Sequence, residues 1–191
     1  MEKKIDLRIA KTYRLLHVAF TEILEEKSLE EMTVGELCER AMVRRNTFYL
    51  HFADKYEYFY FYLSELRDEF RERAEIDKTN PSPVAYSAKM LVELFKFVSS
   101  HEKSLERLKN STRLSFLYMA LQEQISHEIR YAIIDRHNKK NNVDIDMIVA
   151  FYSGGLINII YWWIENPQPL TEEQLAERII NLFPAPNLLL E

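Results

Sequence analysis

The sequence predicts an all-α chain of about nine helices, a three-helix N-terminal unit of the helix-turn-helix kind followed by a helical bundle. Three observations predict it. Apolar residues return at 3.6-residue spacing in one segment after another. Capping-box pairs mark helix starts, Thr33 with Glu36 and Thr171 with Gln174. Breakers are scarce, three glycines and six prolines in 191 residues, which leaves little room for disorder.

The first long helix is expected from Leu7 to Glu26, with Ile9, Tyr13, Leu16, Phe20, Ile23 and Leu24 as its buried stripe. Lys27 to Met32 is a turn. A short helix follows from about Thr33 to Ala41, with Val34, Leu37, Cys38 and Ala41 on its apolar side. Another runs from about Arg45 to His51. Val43, Thr47, Phe48 and Phe52 face inward there; Arg44, Arg45, Asn46, Tyr49, Leu50 and His51 face outward. Asp54 caps the next helix, with Glu57 at the capping-box position. Two short helices joined by a tight turn, the second starting in basic, amide and hydroxyl groups, meet the needs of major-groove docking.

From Asp54 to about Ile76 a long helix keeps its period through Phe59, Leu63, Leu66, Phe70 and Ala74. Tyr56, Tyr58, Tyr60, Phe61 and Tyr62 make it unusually aromatic. Such a run could stack single-stranded bases, but period and length favour a helix that buries two sides. DKTNPSP, from Asp77 to Pro83, is the clearest boundary, with Ser82 as cap and Pro83 at the first helical position. The helix it opens runs to about Ser100 on Ala88, Leu91, Val92, Phe95 and Val98. A short helical piece around Lys103 to Lys109 comes next. A long helix from about Arg113 to Arg136 turns Leu114, Leu117, Leu121, Ile125, Ile129 and Ile133 inward. His137 to Asn142 is a polar loop.

MIVAFYSGGLINIIYWWI, Met147 to Ile164, carries no charge over eighteen residues. Its length just reaches that of a membrane span. Ser153 and Asn158 interrupt it, and a helix apolar all round is equally expected where it is buried on all sides, a subunit interface included. No membrane is therefore expected as partner. Asn166-Pro167-Gln168-Pro169 is a turn. The last helix runs from about Thr171 to Phe183 on Leu175, Ile179, Leu182 and Phe183, ahead of a loosely held tail.

Charge and chemistry narrow the function. Net charge is −5 and pI near 5.7, so nucleic-acid binding must rest on a local basic patch. Lys3, Lys4, Arg8, Lys11 and Arg14, with Arg40, Arg44, Arg45 and Lys55, supply one; ordinary solvated helix faces are the alternative. The single cysteine, Cys38, excludes an intramolecular disulfide framework and reads as core in a reducing cytoplasm. Charges break Ile5 to Leu16, so no signal peptide is expected. There is no P-loop, nucleophile elbow, HExxH or CxxC, and the five histidines show no metal-ligand spacing. Neither an enzyme, a metal nor a cofactor is expected.

The stretch TVGELCERAMVRRNTFYLHFADK, Thr33 to Lys55, resembles the DNA-binding motif of the TetR family of bacterial transcriptional regulators. The shared pattern is T-V-x-E-L-x-x-x-A-x-V-x-R-x-T-F-Y-x-H-F-x-D-K, most diagnostic from Thr47 to Lys55. The resemblance covers about residues 8 to 68. It implies a DNA-binding domain over residues 1–53 and a helical ligand-binding and dimerisation domain over 54–191. Two departures stand out: Met42 occupies a turn position where the family usually has Gly, and Arg44 a cap position where it often has Ser or Asn.

A dimeric regulator on double-stranded DNA follows from this resemblance. Arg45 and Asn46 suit base edges, since guanidinium pairs with guanine and amide with adenine. Arg44 suits a base or a phosphate; Thr33, Tyr49, His51 and Lys55 suit phosphates, and Thr47 completes the set. For His51, packing within its own domain is the alternative. The resemblance further implies a pocket for a small effector, for which Phe95, Phe97, Phe116, Tyr118, Met119 and Tyr152 are apolar or aromatic candidates; plain core is the alternative for each. It places the homodimer interface on the last two long helices, here Gly154, Gly155, Trp162, Trp163, Leu175 and Ile179. The expected role is a repressor. An activator controlled by a protein partner, or a helical scaffold without operator binding, are the competing readings.

Overall fold

Helical periodicity and caps place the elements closely. The computed structural model describes residues 7–74, 83–101, 114–137, 145–166 and 170–182. Among them are eight helices: α1 (Leu7–Glu26), α2 (Val34–Arg40), α3 (Arg45–Tyr49), α4 (Lys55–Ala74), α5 (Pro83–Ser100), α6 (Leu114–His137), α7 (Ile145–Glu165) and α8 (Glu172–Leu182). The chain is all-α, as the periodicity requires, with no strand among the described residues. The expected piece around Lys103 to Lys109 lies outside them.

The described residues form two compact units, and the boundary falls inside α4, between Tyr62 and Leu63. The boundary expected from sequence is the start of that helix.

The first unit packs α1 to α3 against the N-terminal part of α4. Phe20 of α1 is fully buried, its ring 5.1 Å from that of Tyr58 and 4.9 Å from that of Tyr62. Phe48 and Phe52 reach the same Tyr58, at 5.9 and 5.0 Å. The aromatic run in α4 is thus explained: Tyr58, Phe59 and Tyr62 are buried and fill this core, where offset and edge contacts add to area burial. Cys38 is buried too, and desolvation raises its thiol pKa, so it is core and not a reactive thiol. Asp54 caps α4 through the N–H groups of Tyr56 and Glu57, at 2.8 and 2.9 Å, while Glu57 accepts from the N–H of Ala53 at 2.5 Å.

In the second unit, α8 lays its stripe of Leu175, Ala176 and Ile179 against α5. Its capping box is complete. Thr171 N–H donates to Gln174 Oε1 at 3.0 Å, and Gln174 N–H to Thr171 Oγ1 at 3.2 Å. The end of α4 joins α6 through polar contacts. Arg71 pairs with Glu128 at 2.7 Å and lies over the Tyr131 ring. Tyr86 of α5 donates to the same carboxylate at 2.5 Å, and burial, then Glu128, push its phenol well above the usual range. Arg67 donates to Gln124 at 2.8 Å.

The uncharged helix α7 is two-sided. Val149, Ser153, Ile157 and Ile160 are buried. Met147, Phe151, Gly154, Asn158 and Trp162, spaced four, three, four and four residues apart, fall on one opposite face. On that face Met147, Phe151 and Trp162 are 68, 66 and 47 % exposed. By length and composition α7 could cross a membrane. Its buried face, however, belongs to this unit's core.

Candidate nucleic-acid interface

The site is built by the turn between α2 and α3. The C-terminal end of α2 needs partners for its last carbonyls. Met42 N–H donates to Glu39 O at 3.1 Å and Val43 N–H to Cys38 O at 2.8 Å, the paired bonds of a Schellman ending. That ending requires a left-handed residue at Met42, whose φ is 53°. The departure from glycine is therefore met by strain rather than by a different turn. A left-handed non-glycine residue costs about 1 kcal/mol. The Met42 side chain gains little packing to offset that cost, being 92 % exposed. Met42→Gly is expected to stabilise the chain by about 1 kcal/mol, raising the thermal midpoint by about 2–4 °C. Differential scanning calorimetry checks it; a lower midpoint would mean the methionine is held by contacts of its own.

α3 then starts at Arg45 behind Arg44, which sits at the N-cap without any side-chain cap bond. Phe48 anchors the helix in the core, while Arg44, Arg45, Asn46, Tyr49 and Leu50 are all exposed. The orientation matches the sequence expectation for Phe48 and Phe52 inward and for these five residues outward, whereas Val43 and Thr47, expected inward, and His51, expected outward, are half-buried. The structure thus offers two guanidinium groups, an amide and a phenol together on one short helix. Arg40, a member of the basic patch by sequence, is engaged elsewhere: its guanidinium holds both oxygens of Glu26, at 2.6 and 2.8 Å. Arg8, Lys11 and Arg14 of α1 are exposed; Lys3 and Lys4 lie outside the described residues.

Three further candidates carry structural duties. Thr33 caps α2, its hydroxyl accepting from Glu36 N–H at 3.1 Å. The reciprocal half of that box is replaced, since the Glu36 carboxylate pairs with Lys27 at 2.7 Å. The Thr33 O–H remains able to donate to a phosphate. His51 is half-buried, its Nδ1 3.3 Å from the Tyr13 hydroxyl and its ring edge-on to the Tyr13 ring. Packing and DNA contact are compatible there through Nε2. Lys55 donates to Glu30 O at 2.6 Å and Met32 O at 2.7 Å. It therefore ties the start of α4 to the turn before α2, a duty its sequence position does not disclose.

Gly35 is a further residue that sequence reasoning misses. This glycine lies in the first turn of α2, and a Cβ there would fall 2.8 Å from Cζ and 3.2 Å from Nε of Arg45. The only sequence signal is a glycine in a helix, where alanine is favoured by roughly 1 kcal/mol.

In the second unit the candidate pocket residues are spread. Phe95 is fully buried against Trp163, ring centres 4.8 Å apart. Phe97 stacks on His101 at 4.2 Å and meets Phe70 at 5.9 Å. Tyr118 and Tyr152 are half-buried and Met119 is exposed; the Phe116 side chain lies outside the described residues. A separate open groove of about 610 Å³ is lined by the apolar Ala88, Val92, Ala176 and Ile180 and by the charged Arg73, Lys89, Glu93, Lys96, Glu173 and Glu177. Of the interface candidates, Leu175 and Ile179 are taken up in this unit's own core, and Trp163 is half-buried with its ring edge-on to Phe95. Gly154 and Trp162 lie on the open face of α7, where a Cβ on Gly154 would meet nothing within 4 Å. Gly155 is half-buried.

Comparison with known proteins gives two family-model matches. One, described as bacterial regulatory proteins, tetR family, covers residues 15–59; the other, a transcriptional regulator C-terminal region, covers residues 87–184. A curated protein of Bacillus subtilis (strain 168), the uncharacterized HTH-type transcriptional regulator YxbF, is 39% identical over 57 residues. Those residues are 29% of this chain and 15% of that protein, so the match spans a small part of the relative's length. Among solved structures, the fatty acid degradation regulator FadR from Bacillus halodurans aligns with TM-score 0.63 and 14% identity over 89% of this chain and 96% of its own. The TetR family repressor AlkX from Dietzia sp. strain DQ12-45-1b aligns with TM-score 0.59 and 15% identity, over 93% and 98% of the two chains. At such identities these structures show a shared fold.

Proposed function

The chain belongs to the TetR family of bacterial regulatory proteins, a DNA-binding transcriptional regulator, and from that premise we propose that it is a homodimeric repressor of a pseudo-palindromic operator. The observation that carries this reading is α3, anchored by buried Phe48 and presenting Arg44, Arg45, Asn46 and Tyr49 to solvent. Arg45 pairs with guanine and Asn46 with adenine; Arg44, Thr33, Thr47, Tyr49 and His51 hold the flanking bases and phosphates. The dimer brings two such helices to successive major grooves, ~34–36 Å apart.

The dimer surface is the open face of α7, with Met147, Phe151, Gly154 and Trp162. A row of large apolar side chains left in water is costly unless another surface covers it. The missing Gly154 side chain lets a partner helix approach closely. A small apolar or aromatic effector releases the DNA by binding one dimer geometry better than the other, since only differential affinity shifts such an equilibrium. The work is done in the cytoplasm, where the DNA is.

Selection of binding sites from random duplex DNA by the purified protein tests this reading. The expected product is an inverted repeat with half-site centres one helical turn apart. A motif without two-fold symmetry would refute the dimeric reading, and no enrichment at all would refute sequence-specific binding.

Lys55 gives a second check. Its ammonium donates to two carbonyls and carries a full positive charge, which a nearby phosphate would attract. Lys55→Ala is expected to lower stability by about 1 kcal/mol. It should also weaken binding to every sequence and reduce the slope of log affinity against log salt by about one. A salt series with calorimetry separates the effects; an unchanged slope would assign Lys55 to the turn alone.

A further inference from the structure

We propose that Gly35 is a positioning residue for base readout: its missing side chain makes the seat in which the Arg45 guanidinium lies against α2. The inference rests on the reading of α3 as the recognition helix. It begins from the crowding of a virtual Cβ on Gly35, which would meet Cζ, Nε and Nη2 of Arg45, all within ordinary van der Waals separation. The Cζ, Nε and Nη2 atoms of the guanidinium therefore lie against the first turn of α2, though Arg45 itself starts α3. In keeping with that placement, the Arg45 charge acts on the Cys38 thiol of α2, lowering a pKa that burial raises more strongly. The distances at Gly35 put the charged end of Arg45 over α2 rather than loose in solvent.

The seat is shallow. Arg45 remains exposed as a residue, so donors remain free for a base. Arginine carries much rotamer freedom, and ordering it on DNA lowers affinity. A guanidinium already laid against α2 has surrendered part of that freedom before DNA arrives. Its direction is set as well, and bidentate pairing with guanine O6 and N7 depends on direction. Glycine is the residue that permits this, although alanine would make the better helix.

Gly35→Ala displaces only the flexible end of Arg45, so the variant should fold and melt no lower than the parent. Wild type, Gly35→Ala, Arg45→Ala and the double variant are compared by fluorescence anisotropy, as full-length proteins. The DNA is the site selected by the wild type and every single-base change within one half-site, over a salt series. Gly35→Ala is expected to lose about tenfold in affinity and to flatten discrimination at the same base pair that Arg45→Ala flattens, with an unchanged salt slope. The double variant should bind no more weakly than Arg45→Ala alone, as expected when two residues act through one interaction. If Arg45→Ala flattens that base pair and Gly35→Ala does not, the seat is refuted while base reading by Arg45 stands. Full additivity, or tighter binding by Gly35→Ala, also refutes the seat. If Arg45→Ala itself leaves every preference intact, the base-reading role falls and the seat with it.

Discussion

Replacing Arg45 with alanine is expected to lower affinity for the selected operator by about 10–100-fold and to erase the preference for guanine at one position of each half-site. The expectation follows from location and chemistry together. Arg45 is the first residue of α3, exposed, on a helix fixed by buried Phe48. Its guanidinium offers the planar donor fork that matches guanine O6 and N7. Were Arg45 a phosphate ligand instead, its removal would weaken all sequences alike and reduce the salt slope by about one. Anisotropy titrations on the operator and its guanine-to-adenine variants distinguish the two. Uniform weakening would make Arg45 a phosphate ligand and leave Asn46 as the principal base reader.

Phe151→Glu, or Trp162→Glu, is expected to give a folded monomer that binds the operator at least about 100-fold more weakly. Phe151 is 66 % and Trp162 47 % exposed on the open face of α7, so Phe151→Glu is the substitution that disturbs less packing within the subunit. A glutamate there would have to be desolvated, and against its symmetry mate, in any two-fold interface. Losing the dimer converts one bivalent engagement into two independent half-site engagements, which forfeits an avidity of order 10²–10⁴. Sedimentation and circular dichroism report mass and helicity alongside binding. A variant that stays dimeric would move the interface away from this face.

How far the sequence discloses this molecule differs between its two units. In the first, short-range rules suffice. The helical period that buries Phe48 turns Asn46 and Leu50 to the opposite side, while Arg44 and Arg45, four and three residues before Phe48, are exposed because they stand at the start of the helix. Asp54 and Thr171 cap as their spacing requires. What escapes is whatever depends on long side chains reaching across the chain. Lys55 turns back to the carbonyls of Glu30 and Met32, and Arg40 to Glu26. Neither partner is marked by spacing. Gly35 shows the same limit: its importance lies in Arg45, a neighbour on the next helix that no local pattern names.

In the second unit, periodicity locates helices but not the assignment of their faces. A helix as apolar as α7 has no polar side to mark what faces out, so Phe151 and Trp163 look alike in sequence. The structure separates them, with Trp163 against Phe95 and Phe151 in solvent. Leu175 and Ile179, which the family resemblance offered to a partner subunit, are consumed by packing on α5. For the same reason aromatic content does not distinguish pocket from core: Phe95 is fully buried and Met119 exposed, though both are equally eligible by sequence.

The most direct measurement is the binding stoichiometry and salt dependence of the purified chain on its selected operator, beside a scrambled duplex of the same composition. Two chains per operator are expected, with at least about 10³-fold preference over the scrambled duplex and a log–log salt slope of several units. Equal affinity for both duplexes, or one chain per site, would contradict a dimeric sequence-specific regulator.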